Sequence, residues 1–208
     1  MEIIDISWPI STAITSYKNK KTVEFVPTKE FERDHARESI ITLSCHTGTH
    51  VDAPAHFLEQ GTTIDQLNLA TLVGPCTVVD CTDLTESINK TYLEQKVDPQ
   101  SNNILLFKTK NSFLNNTDLF NSNFVFLDHS GAQWCVENNI KTVGIDYLGI
   151  ERGQLNHETH SILFTHGITI IEGLRLASVA EGSHTLVCLP LNIVGLEAAP
   201  ARAILIKN

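Results

Sequence analysis

Short apolar runs rich in β-branched residues recur from one end of the chain to the other, broken by Gly, Pro, Asn and Asp. Such runs pack on a pleated surface and predict strands at residues 2–7, 40–45, 76–80, 103–108, 124–127, 142–146, 169–172, 185–190 and 201–206. Helical character falls between them, at 65–69, 90–95, 132–138 and 156–166, with Ser130 placed to cap the third helix. Mixed elements with strands in excess predict an α/β or α+β layered domain. The runs at 103–108, 124–127 and 142–146 are continuously apolar, as strands covered on both faces are. The Asn- and Thr-rich stretch 110–123 reads as a surface excursion. No Ser/Gly- or Pro-rich linker interrupts the chain, so residues 1–208 are expected to form one domain.

Composition narrows the partners. The formal net charge is -9, and the one basic concentration is Lys18, Lys20 and Lys21, so nucleic acid and anionic membrane are not expected. No apolar run approaches the ~20 residues that span a bilayer. The N-terminus lacks a basic region followed by an apolar one, and a cytoplasmic location is expected. Cys45, Cys76, Cys81, Cys135 and Cys188 are scattered, odd in number and without a C-x-x-C pair. Reduced thiols are expected, with Cys45 facing the core.

Residues 46–57 read His-Thr-Gly-Thr-His-Val-Asp-Ala-Pro-Ala-His-Phe, which concentrates His46, His50, Asp52 and His56. A helix would align His46 with His50, but Thr47, Gly48 and Thr49 are weak helix formers and Pro54 would end it. A strand running into a Gly-containing turn can instead fold all four toward one point. Imidazole and carboxylate are ligands for divalent metals, so the cluster points to a metal or catalytic site. Glu172 ends the apolar run Thr169-Ile170-Ile171, where a carboxylate is costly without a cation or donors. Taken alone, His160 would be a helix-surface histidine.

The run 46–57 also resembles the signature of the cyclase-like metal-dependent hydrolases, a group that includes bacterial kynurenine formamidases (arylformamidases) and isatin hydrolases. Residues 5–10 (Asp-Ile-Ser-Trp-Pro-Ile), 143–146 (Val-Gly-Ile-Asp) with Ile150-Glu151, 160–164, and 170–174 (Ile-Ile-Glu-Gly-Leu) resemble further blocks of that family, in order. The resemblance implies a swivelling β/β/α fold with a mixed sheet, assembled as homodimers or homotetramers. It implies one metal on His46, His50 and Asp52. A second would be bridged by Asp52, held by His160 and contacted with the first by Glu172. His56 would be the general acid/base. Two zinc ions per chain are expected, with manganese the second choice.

The reaction implied is hydrolysis of a small-molecule amide, foremost N-formylkynurenine to formate and kynurenine. An isatin-type cyclic amide or another small amide is the alternative, and a non-catalytic metal-binding protein the third. Family formamidases carry a tryptophan in a Pro-Gly-Asp loop after the first strand. The matching region here is Thr-Ser-Tyr-Lys-Asn-Lys-Lys at 15–21, and Tyr17 is the aromatic residue placed to replace that tryptophan against the substrate. The three lysines either attract a carboxylate-bearing substrate or form a solvated surface cluster.

Overall fold

The apolar runs pair into one sheet that closes on itself. The computed structural model describes residues 1–98 and 102–207. Its strands are β1 (Glu2–Asp5), β2 (Val23–Lys29), β3 (Glu38–Leu43), β4 (His50–Asp52), β5 (Val73–Asp80), β6 (Ser87–Ile88), β7 (Ile104–Lys108), β8 (Phe126–Leu127), β9 (Thr142–Ile145), β10 (Thr169–Glu172), β11 (Gly182–Pro190) and β12 (Ala198–Lys207). The main sheet runs β1-β12-β11-β5-β7-β9-β10-β4, and β4 also pairs with β12. Residues 198–200 of β12 take β4, and its last residues take β1 on the same edge, so the ring from β4 through β10 and back is closed. A closed sheet leaves fewer unpaired backbone edges. β5, β7, β9 and β10 run parallel, and the remaining pairs of this sheet are antiparallel, which is the mixed sheet expected.

Alternation along each strand sorts its side chains into two cores. Ile104 and Leu106 of β7 join Val51, Ile171 and Leu186 in one buried cluster inside the ring. Leu105 and Phe107 point outward with Val143, Ile145 and Ile170. There they pack under α2 (Lys90–Lys96), α3 (His129–Glu137) and α4 (Glu158–Thr165), through Leu93, Trp134 and Leu163. Coverage on both faces explains the continuous apolar runs at β7 and β9. The one-turn helix α1 (Phe31–Asp34) caps the hairpin β2–β3, whose Phe25, Val26, Ile40 and Ile41 stay exposed.

Several expectations need correction. Within 124–127 only Phe126–Leu127 is a strand, and it pairs with β6 outside the main sheet. The segment 65–69 is two 3-10 turns, Ile64–Gln66 and Leu69–Thr71. Asp128, not Ser130, caps α3, accepting from the amides of Ser130 and Gly131. Ser130 sits inside that first turn and accepts from the amide of Lys90. The stretch 110–123 is only partly a surface excursion: Asn111 and Ser112 are buried because the buried Asp146 gathers them. Its carboxylate accepts from the amide and hydroxyl of Thr109 at 2.6 and 2.8 Å and from the amide and hydroxyl of Ser112 at 3.1 and 2.7 Å. All five cysteines are free thiols, but Cys45 is only half-buried rather than core. No helix among the described residues is long and apolar enough to cross a membrane.

Candidate metal centre and catalytic cavity

The strand β4 is only three residues long, too short to show a period in the sequence. It exists because it is paired on both sides, with β10 and with β12. Val51 points into the ring, so His50 and Asp52 point out of it. The register sets Glu172 directly opposite His50 across the antiparallel pair, which brings three ligand-type side chains onto one face. The approach of the two chains depends on glycine. A Cβ on Gly173, whose φ is +72°, would lie 2.2 Å from the carbonyl oxygen of Gly48. Thr49 completes the lock, donating to the Gly173 carbonyl at 2.6 Å and accepting from the amide of Trp8 at 2.7 Å.

His160 reaches the same face from the first turn of α4. It is buried rather than on the helix surface as its isolated sequence context suggests. Its Nε2 lies 3.7 Å from Asp52 Oδ2 and 3.6 Å from Glu172 Oε1. His50 Nε2 lies 3.4 Å from Asp52 Oδ1 and 3.5 Å from Glu172 Oε2. The other nitrogen of His50 is 2.9 Å from the Gly48 carbonyl and donates to it, so Nε2 is the nitrogen that faces the carboxylates. His46, on the turn before β4, sets Nδ1 3.0 Å from Asp52 Oδ1. His50 Nε2, both Asp52 carboxylate oxygens and both His160 ring nitrogens are buried with no hydrogen-bond partner. Buried polar atoms are rarely left so, and a cation among them would satisfy His50 Nε2, His160 Nε2 and both Asp52 oxygens. The residues present therefore fit a divalent metal.

Electrostatics agree. Burial works against charge on His50, but the carboxylates of Asp52 and Glu172 outweigh it and raise the imidazole to about 9. Burial likewise opposes charge on His160, and its neighbours Asp52, Glu151 and Glu172 raise it well above its ordinary value. Asp52 and Glu172, against their own burial, are held low by those histidines. A metal takes the place of these protons.

His56, in the 3-10 turn Pro54–His56, stacks beside His46 with ring centroids 4.3 Å apart. Burial pushes its imidazole down, an effect that Asp52 opposes and His46 and His160 reinforce. Its imidazole is therefore biased toward the neutral form, opposite to His50 and His160. His46, Asp52 and His56 have ligand atoms within 4.8 Å of one another, so His56 stands within reach of anything held by the other two.

Glu151 is the residue that sequence reasoning passed over. It is buried, accepts from the His160 amide at 3.2 Å, and lies 3.1 Å from His160 Nδ1 on the side away from the cage. Its second oxygen contacts His157 Nδ1 at 2.5 Å. His157 has a left-handed backbone and stacks on Phe57. A charge closing the apolar run Tyr147-Leu148-Gly149-Ile150 was the available signal, the same one that singles out Glu172.

The cage opens into a cavity of about 610 Å³, lined among others by His46, His56, Glu172, Tyr17, Phe120 and Phe124. Asp52 is buried and is not among the lining residues. Tyr17 is 44% exposed and packs edge-on against Phe120, with ring centroids 4.8 Å apart. Lys18 and Lys20 line the mouth, and Lys21 does not.

Comparison with known proteins places the chain in context. The Cyclase family model, described as "Putative cyclase", matches residues 4–152. A kynurenine formamidase of Salinibacter ruber is 34% identical over 208 residues, covering 99% of this chain and 97% of that protein. Cyclase-like protein 3 of Arabidopsis thaliana is 42% identical over 180 residues, covering 83% of this chain and 66% of its own length, so the chain spans about two thirds of that plant relative. A solved structure described as a potential metal-dependent hydrolase with cyclase activity is 42% identical, with a TM-score of 0.88 over 98% of this chain and 96% of that one.

Proposed function

This chain belongs to the cyclase family, and on that premise we propose that it is a metal-dependent hydrolase that opens amide bonds, foremost the formamide of N-formylkynurenine. The observation that carries this is the buried cage in which His50 Nε2, His160 Nε2 and both Asp52 oxygens face one another without a hydrogen-bond partner. His46, His50 and Asp52 would hold one ion. Asp52, His160 and Glu172 would hold a second, the carboxylates being able to serve both. Zinc suits this donor set, and manganese is the second choice. When bound, the metal supplies a water of lowered pKa and polarises the amide carbonyl.

The protein's own groups do the rest. His56 is neutral and half-buried beside the cage, so one ring nitrogen can take the proton that the attacking water gives up. It returns that proton to the departing nitrogen as the carbon–nitrogen bond breaks, giving formate and a free amine. Phe57 stacks on His56, His157 and His160 with centroids 4.1 to 4.4 Å away, and it keeps bulk water from that side of the reacting groups. Tyr17, Phe120 and Phe124 offer apolar ring faces to an aromatic amine. The exposed apolar hairpin β2–β3 offers a surface for the expected homodimer or homotetramer.

The test is formate release from N-formylkynurenine and ring opening of isatin by protein stripped with chelator, then reloaded with zinc or manganese. Metal-dependent turnover of the formamide, with isatin slower, is expected. No turnover of either at full loading would overturn the reading.

A further inference from the structure

We infer that Lys18 and Lys20 form an anion subsite at the mouth of the catalytic cavity, so that the substrate class is an N-acylated aromatic amine bearing a carboxylate. This deepens the amide-hydrolase reading above and rests on it.

The sequence presents Lys18, Lys20 and Lys21 as equivalent, and the fold separates them. Lys18 and Lys20 line the cavity that holds the cage, and Lys21 is not among its lining residues. Neither lining lysine has a carboxylate within ion-pair distance among the described residues. Arg152, on the same wall, is already committed to Glu86 and to the Phe124 carbonyl. Lys18 Nζ lies 5.1 Å from the centroid of the Tyr17 ring, and with no carboxylate neutralising it or Lys20 among the described residues, both keep a charge for an anionic ligand in a chain whose net charge is -9.

Their placement is imposed rather than incidental. Lys18 and Asn19 are consecutive left-handed residues, with φ of 54° and 58°, a conformation that side chains other than glycine resist. The loop is stitched to the opposite lip: Asn19 Oδ1 accepts from the Phe120 amide at 2.7 Å, and the Thr15 hydroxyl donates to the Asp118 carbonyl at 2.7 Å. The same cavity is lined by the aromatic rings of Tyr17, Phe57, Phe120 and Phe124. A ligand that satisfies the whole cavity carries its amide at the cage, a ring along this wall and an anion at the mouth. A neutral bicyclic lactam has nothing to give the lysines.

The test compares N-formylkynurenine with its carboxamide, two formamides that differ only in the distal charge, across the wild type, Lys18→Gln, Lys20→Gln, the double variant and Lys21→Gln. The double variant should reduce the kcat/KM preference for the carboxylate about tenfold, through KM, and each single variant by part of that. Raising ionic strength should erode the wild-type preference in the same way, since exposed charges are screened. Lys21→Gln should leave the preference where it was. A preference that stays within twofold in the double variant, or falls equally in Lys21→Gln, overturns the subsite. If metal-loaded wild type hydrolyses neither formamide, the hydrolase reading fails, and the subsite is then judged by calorimetry with kynurenine and kynurenine carboxamide on chelated protein. Tighter carboxylate binding by wild type than by the double variant sustains it, and equal binding overturns it.

Discussion

The cage and the mouth of the same cavity are held by different kinds of structure. The cage stands on strand ladders: the register of β4 with β10 and β12 sets where His50, Asp52 and Glu172 lie, and a closed sheet cannot slip one residue without turning every side chain over. The mouth stands on two loops, residues 15–20 and 116–124, joined by side-chain-to-backbone hydrogen bonds and strained at Lys18 and Asn19. Reaction chemistry is thereby separated from substrate choice. Loops tolerate replacement that a ladder does not, so relatives sharing the cage can differ at the mouth.

The sharpest way to break this comparison is to strike the cage. Asp52→Asn keeps the shape and removes the charge that faces His46, His50 and His160 together. Metal content after dialysis should fall below half of the wild-type value, because one carboxylate serves both ions. A variant that keeps a full site would show that Asp52 does not bridge. His56→Ala should instead lower kcat by about 10²–10⁴-fold, the usual worth of a positioned acid/base, with metal content retained. Loss of metal in that variant would move His56 into the ligand set, a role its closeness to His46 and Asp52 permits.

Legibility in the sequence followed the same division. The strands of the closed ring were largely readable because continuous apolar runs register double coverage, as at β7 and β9. β4 was not, since three residues between Gly48 and Pro54 carry no period and owe their conformation to two neighbours far along the chain. His46, His50, Asp52 and Glu172 were named from a dense local motif and a costly buried carboxylate, and His160 only from the family resemblance; their convergence came with the fold. Glu151 and His157 were given no role in the site because their significance lies in what they touch, not in any spacing. At the mouth, the sequence offered three like lysines, and only the left-handed turn at Lys18 and Asn19 distinguishes those that line the cavity.

A third test asks whether the cage is poised for a cation even when none is bound. His50 rises from an ordinary 6.5 to about 9 because two carboxylates outweigh its burial. A folded-state value above the unfolded one contributes stability that is fully present below about 6.5 and lost as pH rises through about 9. That amounts to about 3 kcal/mol, or on the order of 5–10 °C in Tm for a chain of this length. The depressed carboxylates act at the other end, their contribution present above about 4 and lost as pH falls through their lowered values. Chelated protein should therefore melt lower at pH 9 than at pH 6.5, and metal-loaded protein should not. Lys18→Gln should not change this profile, since the mouth lies outside the ladder; a mouth variant that shifted it would dissolve the separation.

The smallest effect probes a residue between the two regions. Glu151 sits behind His160, 3.1 Å from Nδ1 and accepting the backbone amide at 3.2 Å, while its other oxygen meets His157 at the cavity wall. A carboxylate behind a ligating histidine orients the ring and raises its basicity, and losing one typically costs 10–100-fold in metal affinity. Glu151→Gln preserves the shape and the amide contact but not the charge. It should weaken the ion held by His160 by about that factor and leave the ion held by His46 and His50 near wild-type affinity, as read by competitive titration with a chromophoric chelator. Equal weakening of both ions would mean that Glu151 supports the packing of α4 as a whole. No weakening of either would mean that His160 is positioned by its helix and by Phe57 alone, leaving the cage independent of the wall on which the mouth is built.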